Sequence, residues 1–453
     1  MEKLIKDALK SAKADYAEIR VHEGVTTNVA YVGKELENIG KNSMLGGCVR
    51  ALFKGGWGFV AFNDIENLPK YIEMACEQAQ FIGTQESKLA SVPVIQDYVK
   101  TSVEINPSDI SLTEKQSLCN KYNSMILSSK QIQTSSVRYL DSHGTVFFAN
   151  TDGSFIVQET IFCGISLLAM ARDGMNVQQA YHSTGDLRGF RNALNLEQKT
   201  GEVTKRAIDL LTAKPVTGGK YTVIIDPKLC GVFVHEAFGH LSEADFIYEN
   251  EKMREIMVIG KRFGSDALSI VDDGSLVGEA GYNKYDNEGT PTQKTYLIKN
   301  GILTNRLHSR ETAAKMNEKP TGNARAIGYA HGPIVRMTNT YMEPRDCSFE
   351  KMLSEVDYGI YAIGALGGQT NMEMFTFSAE EAYLIRNGKI QEKLRDVVLT
   401  GNVFETLMNI DAIGSDLKMY GGLGGCGKGG QSPLRVSDGG PHVRIQNVII
   451  GGR

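Results

Sequence analysis

Two short segments of this chain are near copies of each other. TYLIKNGIL (residues 295–303) and AYLIRNGKI (residues 382–390) each put Asn-Gly between two apolar runs. That dipeptide favours the positive φ angles of a two-residue turn, so each segment predicts an antiparallel hairpin. Two matches are too few for a repeat architecture. A third hairpin is expected where residues 48–53 and 58–62 flank the turn residues KGGW. Helical spacing opens the chain, with Leu4, Ile5, Ala8, Leu9 and Ala12 on one face. Further helices are expected over 65–82, 112–129, 194–211, 349–356 and 403–410, and strands over 16–21, near Val137 and Val146, and over 155–168. Hairpins among helices that do not alternate with strands predict an α+β fold, not a run of βαβ units.

The chain has 453 residues, enough for two or three domains. KPVTGG (residues 214–219) interrupts the pattern. Two domains are expected on either side: a mixed helix/strand domain over 1–215, and a glycine-rich, mainly antiparallel β domain over 216–453.

The segment with the most chemistry is YTVIIDPKLCGVFVHEAFGHLSEAD (residues 221–245). Its first five residues read as a short buried strand. Asp226 suits a helix N-cap and Pro227 the first turn. Inside the helix stands H-E-x-x-x-H, as His235, Glu236 and His240. Imidazoles bind zinc well, and zinc lowers the pKa of a bound water to about 7. A neighbouring glutamate then takes that water's proton as general base. The familiar zinc-protease motif spaces its histidines at i and i+4, on one helix face. Here the spacing is i and i+5, which an ideal α-helix splays by about 140°. Either a wide π-type turn, eased by Gly239, or a helix ending at His240 would bring the rings together. A two-histidine site also needs a third protein ligand. Glu243, Asp245 and Cys230 are near in sequence, and His308, His331, His442 and Cys426 are remote candidates.

GGLGGCGKGGQS (residues 421–432) contains most of a phosphate-binding loop. That reading fails, because Gly429 stands where a magnesium-binding Ser or Thr should follow Lys428. Pro433 follows instead of a helix, and too little chain remains for a nucleotide-binding domain. The same glycines would let the backbone bring Cys426 close to other groups, with Lys428 helping to keep its sulfur ionised.

The net charge of −4 leaves no basic surplus, so no direct nucleic-acid binding is expected. No apolar run approaches the length of a membrane span, and the start lacks the apolar core of a signal peptide. Seven singly scattered cysteines read as reduced thiols in a cytoplasmic protein. His22, beside Glu23, has no second histidine at motif spacing and is expected on an exposed strand.

HEAFGHLSEAD closely resembles the TldD/PmbA family of zinc metallopeptidases, long labelled modulators of DNA gyrase. VRALFKGGWGFVAFND (residues 49–64) is similar to that family's N-terminal hairpin. TGNARA (321–326), VRMTNTYMEP (335–344), GIYAIGALGGQ (359–369), FTFSAEEAYLIRNGKI (375–390) and LTGNVFETLMNIDAIGSD (399–416) resemble its C-terminal half. The resemblance spans nearly the whole chain. It implies two domains, a dimer with an enclosed cleft, and cleavage of unfolded peptides held in extended form. It implies zinc bound by His235, His240 and Cys426, with Glu236 as the catalytic base. Some members lack the motif and serve as inactive partners. This chain keeps all four residues and resembles the catalytic, TldD-like type, paired with itself or with an inactive relative. The alternative is a non-catalytic binding or regulatory protein whose metal site is structural.

Overall fold

The computed structural model describes residues 1–451. The N-terminal part is built on one seven-stranded sheet. Along it run Gly56–Phe62, Glu35–Phe53, Tyr16–Val32, Ile132–Asn150, Phe155–Asp173 and Gln96–Val99, and Asn176–Asp186 also pairs with Phe155–Asp173. The strand expected over 16–21 is 17 residues long. The strand continues through GVTTNVAYV, whose Val, Thr and Tyr favour extended backbone, and pairing on both edges holds it throughout. Helices sit at both ends of this long sheet. Glu2–Leu9 and Leu68–Ile82 bury Ile5, Leu9, Leu68 and Ile72 against Val21 and Val49. Leu112–Leu127 and Glu197–Thr212 bury Cys119, Tyr122, Val203 and Ala207 against Val29, Tyr31 and Leu167.

The C-terminal part is mainly antiparallel and holds two larger sheets. In one, Tyr358–Asn371, Gly219–Ile225, Val443–Gly451, Val398–Asn402 and Met374–Arg386 lie in that order, and the first pairs again with the last, so these five strands close on themselves. Lys389–Arg395 and Lys214–Pro215 extend it. The other sheet runs Ile302–Leu303, Lys294–Lys299, Ile270–Asp273, Asn339–Met342, Ser437–Gly440, Lys418–Tyr420. The α+β class and the mainly antiparallel C-terminal part agree with the sequence reading. Both Asn-Gly hairpins form. Asn300 and Gly301 take φ of 50° and 77°, Asn387 and Gly388 take 48° and 69°, the left-handed values such turns need.

One α-helical segment, Pro227–Val234, passes between these layers. Asp226 caps it by accepting from the Leu229 N–H at 2.9 Å, and the same carboxylate oxygen accepts from the Gly364 N–H at 2.9 Å. The helix crosses Ser437–Gly440 so closely that a Cβ on Gly231 would lie 2.5 Å from the Gly439 nitrogen. The two sheets thus fix both the height and the rotation of the helix that carries the motif.

Candidate metal centre

The i and i+5 spacing is met by a change of helix type. After Val234 the chain makes one π-type turn over His235–Gly239, closed by the His240 N–H donating to the His235 carbonyl. That five-residue bond widens the turn enough to return the second histidine to the face of the first. A tight turn over His240–Ser242 then ends the helix. The two rings stand edge to face, with centroids 5.3 Å apart. The wide turn is therefore the option that brings the rings together, and His240 itself keeps helical backbone angles. Gly239 is not needed for its backbone freedom, since its φ of −57° and ψ of −55° are ordinary helical values. It is needed for space, because a Cβ there would lie 2.0 Å from the Met337 sulfur.

Cys426 arrives from the other end of the chain on a small hairpin, Cys426–Lys428 against Gln431–Leu434. Gly429 and Gly430 make its turn with φ of 57° and 73°. The wholly buried Arg336 ties the hairpin down, donating to the Cys426 carbonyl at 2.7 Å and the Gln431 carbonyl at 3.2 Å. The glycine-rich stretch is thus an anchored hairpin and not a loose tail. It sets the Cys426 Sγ 3.3 Å from His240 Nε2. One ligand atom each from His235, His240 and Cys426 lie within 4.8 Å of one another. Ligand atoms around a tetrahedral zinc stand about 3.5 Å apart, from zinc bond lengths of 2.0–2.3 Å.

The electrostatics suit a cation. Burial alone would push the Cys426 thiol up, but the two imidazoles outweigh it and bring it down to about 5. Burial would lower both histidines, but the sulfur raises His235, and Glu243 with the sulfur raises His240. Such a cluster holds extra protons where a metal ion would otherwise sit, and metal binding releases them. His235 Nδ1 is buried with no hydrogen-bond partner. Two imidazoles, one thiolate and an unpartnered buried ring nitrogen fit zinc.

Around these groups lies a support that the sequence did not reveal. Glu243, 1% exposed, faces His240 Nδ1 at 3.0 Å. A carboxylate on the far ring nitrogen fixes tautomer and orientation of a metal-binding histidine. Lys428 was expected to serve the sulfur. Its ammonium instead pairs with Asp245 at 2.6 Å and Glu243 at 3.1 Å, and donates to the Val335 carbonyl at 2.9 Å. Glu243 and Asp245, considered above as ligands, thus lie in this outer layer. Cys230 is buried against Gly440. His308 bonds Thr312 and Glu318, and His442 bonds Asp416 and Tyr361. Glu236 is partly exposed and forms no side-chain hydrogen bond or ion pair among the described residues.

Beside the centre, a cavity of about 820 Å³ opens between the N-terminal sheet and the C-terminal part. His235, His240 and Cys426 do not line it, but Gly424 and Leu434 do, and Leu434 is the register partner of Cys426. His22 lies in its wall with Nε2 buried and unpartnered, so the exposed position expected for it does not occur.

The chain is similar to known proteins over almost its full length. Family models match as PmbA/TldA metallopeptidase domain 1 over residues 17–79, the central domain over 105–214, and the C-terminal domain over 218–452. A metalloprotease of Synechocystis sp. is 44% identical over 443 residues, 97% of this chain and 96% of that one. A zinc metalloprotease TldD homolog of Saccharolobus solfataricus is 29% identical over 469 residues, covering 100% of both. A crystal structure from Thermotoga maritima, described as a candidate modulator of a DNA gyrase, has the same fold (TM-score 0.81, 22% identity, 99% of this chain and 100% of that one). Matched in sequence from its first long strand to its last, this chain belongs to the PmbA/TldD metallopeptidase family.

Proposed function

We propose that this chain is a zinc-dependent peptidase that hydrolyses unfolded or extended peptides, with His235, His240 and Cys426 as metal ligands and Glu236 as general base. The observation that carries the reading is the meeting of His235, His240 and Cys426 within 4.8 Å, directly beside an unpaired, partly exposed Glu236. Zinc held there would supply a Lewis acid that acidifies a water molecule and polarises a peptide carbonyl. Glu236 takes a proton from the attacking water and passes it to the amine that leaves as the C–N bond breaks. Glu243 holds His240 by its Nδ1, and Lys428 balances the charge of Glu243.

A structural zinc normally has four protein ligands, whereas a catalytic one keeps a position open. A three-residue donor set beside a free carboxylate supports the enzyme over the non-catalytic alternative. The same reading includes a dimer, either with itself or with an inactive relative. An exposed apolar tip at Leu366, Met372 and Met374 is a surface such pairing would cover. It also includes a cytoplasmic location, supported by seven cysteines that are all unpaired. No helix of the described residues is long and apolar enough to cross a membrane. Direct nucleic-acid binding is not part of it, given the net charge of −4.

The test is metal content and peptide cleavage measured together. Glu236→Gln should keep zinc and lose hydrolysis, and Cys426→Ala should lose zinc. Substantial cleavage by Glu236→Gln, against chelator-treated protein as blank, would sink the mechanism. Full occupancy in Cys426→Ala would remove the cysteine from the ligand set.

A further inference from the structure

The wall of the 820 Å³ cavity contains several cations, and most of them have an answer to their charge. Arg188 pairs with Asp186 and Glu279, and Lys284 pairs with Asp97. Arg325 donates to the Met337 and Arg435 carbonyls and feels the buried Asp272. Arg435 differs. Its guanidinium lies 3.8 Å from the centre of the Phe162 ring and donates once, to the Ser142 hydroxyl at 3.1 Å. It has no ion pair among the described residues, and burial alone moves its acidity, down to about 10. A guanidinium has five N–H donors, so most of Arg435's remain for whatever enters the cavity. Arg435 is half-buried and opens onto the cavity, and its planar fork matches a carboxylate in two-point fashion.

The position is as telling as the charge. Arg435 directly follows Leu434, the register partner of Cys426 across the hairpin. The cavity wall is therefore about one ladder rung, roughly 5 Å, from the cysteine. An extended peptide advances about 3.3 Å per residue and the arginine side chain adds its own length, so a group held at Arg435 belongs to a residue within a few positions of the bond at the metal centre.

We propose that Arg435 receives a carboxylate of the bound peptide in this cavity, so that peptides carrying one near the cut bond are the preferred substrates. The carboxylate is either the peptide's own C-terminus or an acidic side chain. This inference rests on the peptidase reading above, and it adds a specificity group to it. Phe162 and Ser142 hold the guanidinium in place, the ring by stacking on one face and the hydroxyl by accepting one N–H.

The experiment measures binding without turnover, on the zinc-loaded Glu236→Gln protein, by fluorescence anisotropy. The probes are three versions of one labelled short peptide with a single glutamate: unmodified, amidated at its C-terminus, and with the glutamate replaced by glutamine. One of the two neutralised peptides should bind about ten-fold more weakly than the unmodified one, as expected for a lost charge-assisted hydrogen bond. Which one it is identifies the carboxylate. Adding Arg435→Gln should weaken the unmodified peptide and erase that difference, whereas Arg435→Lys should keep part of it. The comparison of peptides on unmodified Arg435 stands even if a variant folds poorly. Equal affinity for all three peptides would overturn the carboxylate role and leave the peptidase reading intact. So would a difference that persists in a folded Arg435→Gln protein. Failure to bind any of the three would overturn both.

Discussion

Glu243→Gln is the most informative single change at the centre. Glu243 is 1% exposed, and its carboxylate meets His240 Nδ1 at 3.0 Å and the Lys428 ammonium at 3.1 Å. Glutamine has nearly the same shape, so its carbonyl oxygen can still accept from the ring N–H. What disappears is the negative charge that would make His240 a stronger donor to the proposed metal. Lys428 keeps Asp245 at 2.6 Å, so the change strands no buried cation. Loss of such an outer carboxylate typically weakens metal binding 10- to 100-fold, about 1.4–2.7 kcal/mol. With geometry kept, the expected value lies at the lower end, about ten-fold. Glu243→Ala removes the hydrogen bond as well and should approach the upper end, about 100-fold. The assay is competition for zinc against a chromophoric chelator at fixed pH, with wild type and Glu236→Gln as controls. Glu236→Gln should match wild type, because Glu236 is not a proposed ligand. Zinc affinities of Glu243→Gln and wild type that cannot be told apart would refute the supporting role of this carboxylate.

Gly239→Ala sets two effects against each other. Alanine gains about 1 kcal/mol in helix propensity, but overpacking a core costs about 1–3 kcal/mol, and here the new Cβ meets the Met337 sulfur at 2.0 Å. Net destabilisation and reduced zinc content are expected. Gly239→Ala combined with Met337→Ala should be less damaged than the two single losses add up to, as read by thermal unfolding and elemental analysis. Additive losses would show that space is not what glycine provides. A third expectation concerns pH. Burial, with Lys228 and other cations nearby, holds His182 at about 4, below its usual 6.5. The unfolded chain therefore takes up a proton below pH 6.5 that the folded protein refuses until about pH 4, and stability falls with pH across that window. His182→Gln should show a shallower fall of Tm between those two values than wild type. Parallel curves would mean that His182 is not buried neutral.

Features that depend on a few adjacent residues were legible in the sequence. Asn-Gly at 300–301 and 387–388 specifies its turn through its own backbone preferences, with Asn and Gly both at positive φ. Asp226 and Pro227 specify a helix start because the cap bond spans only three residues. His235, Glu236 and His240 announce metal chemistry by residue type, and their i, i+5 spacing leaves a wide turn or a helix end as the two ways to bring the rings together. Long-range pairing was not legible. Tyr16–Val32 runs on for eleven residues past Val21 because both neighbouring strands pair with it along its whole length. Cys426 stands 186 residues from His240 and reaches it only because Arg336 and the hairpin partner Leu434 hold its strand in place. The company of Glu243 and Lys428, the Met337 contact that requires Gly239, and the lone charge of Arg435 are decided in the same way. Turn and cap preferences act over a few bonds along the chain. Which remote groups share one buried volume depends on how whole sheets and helices pack, and only the tertiary structure contains that information.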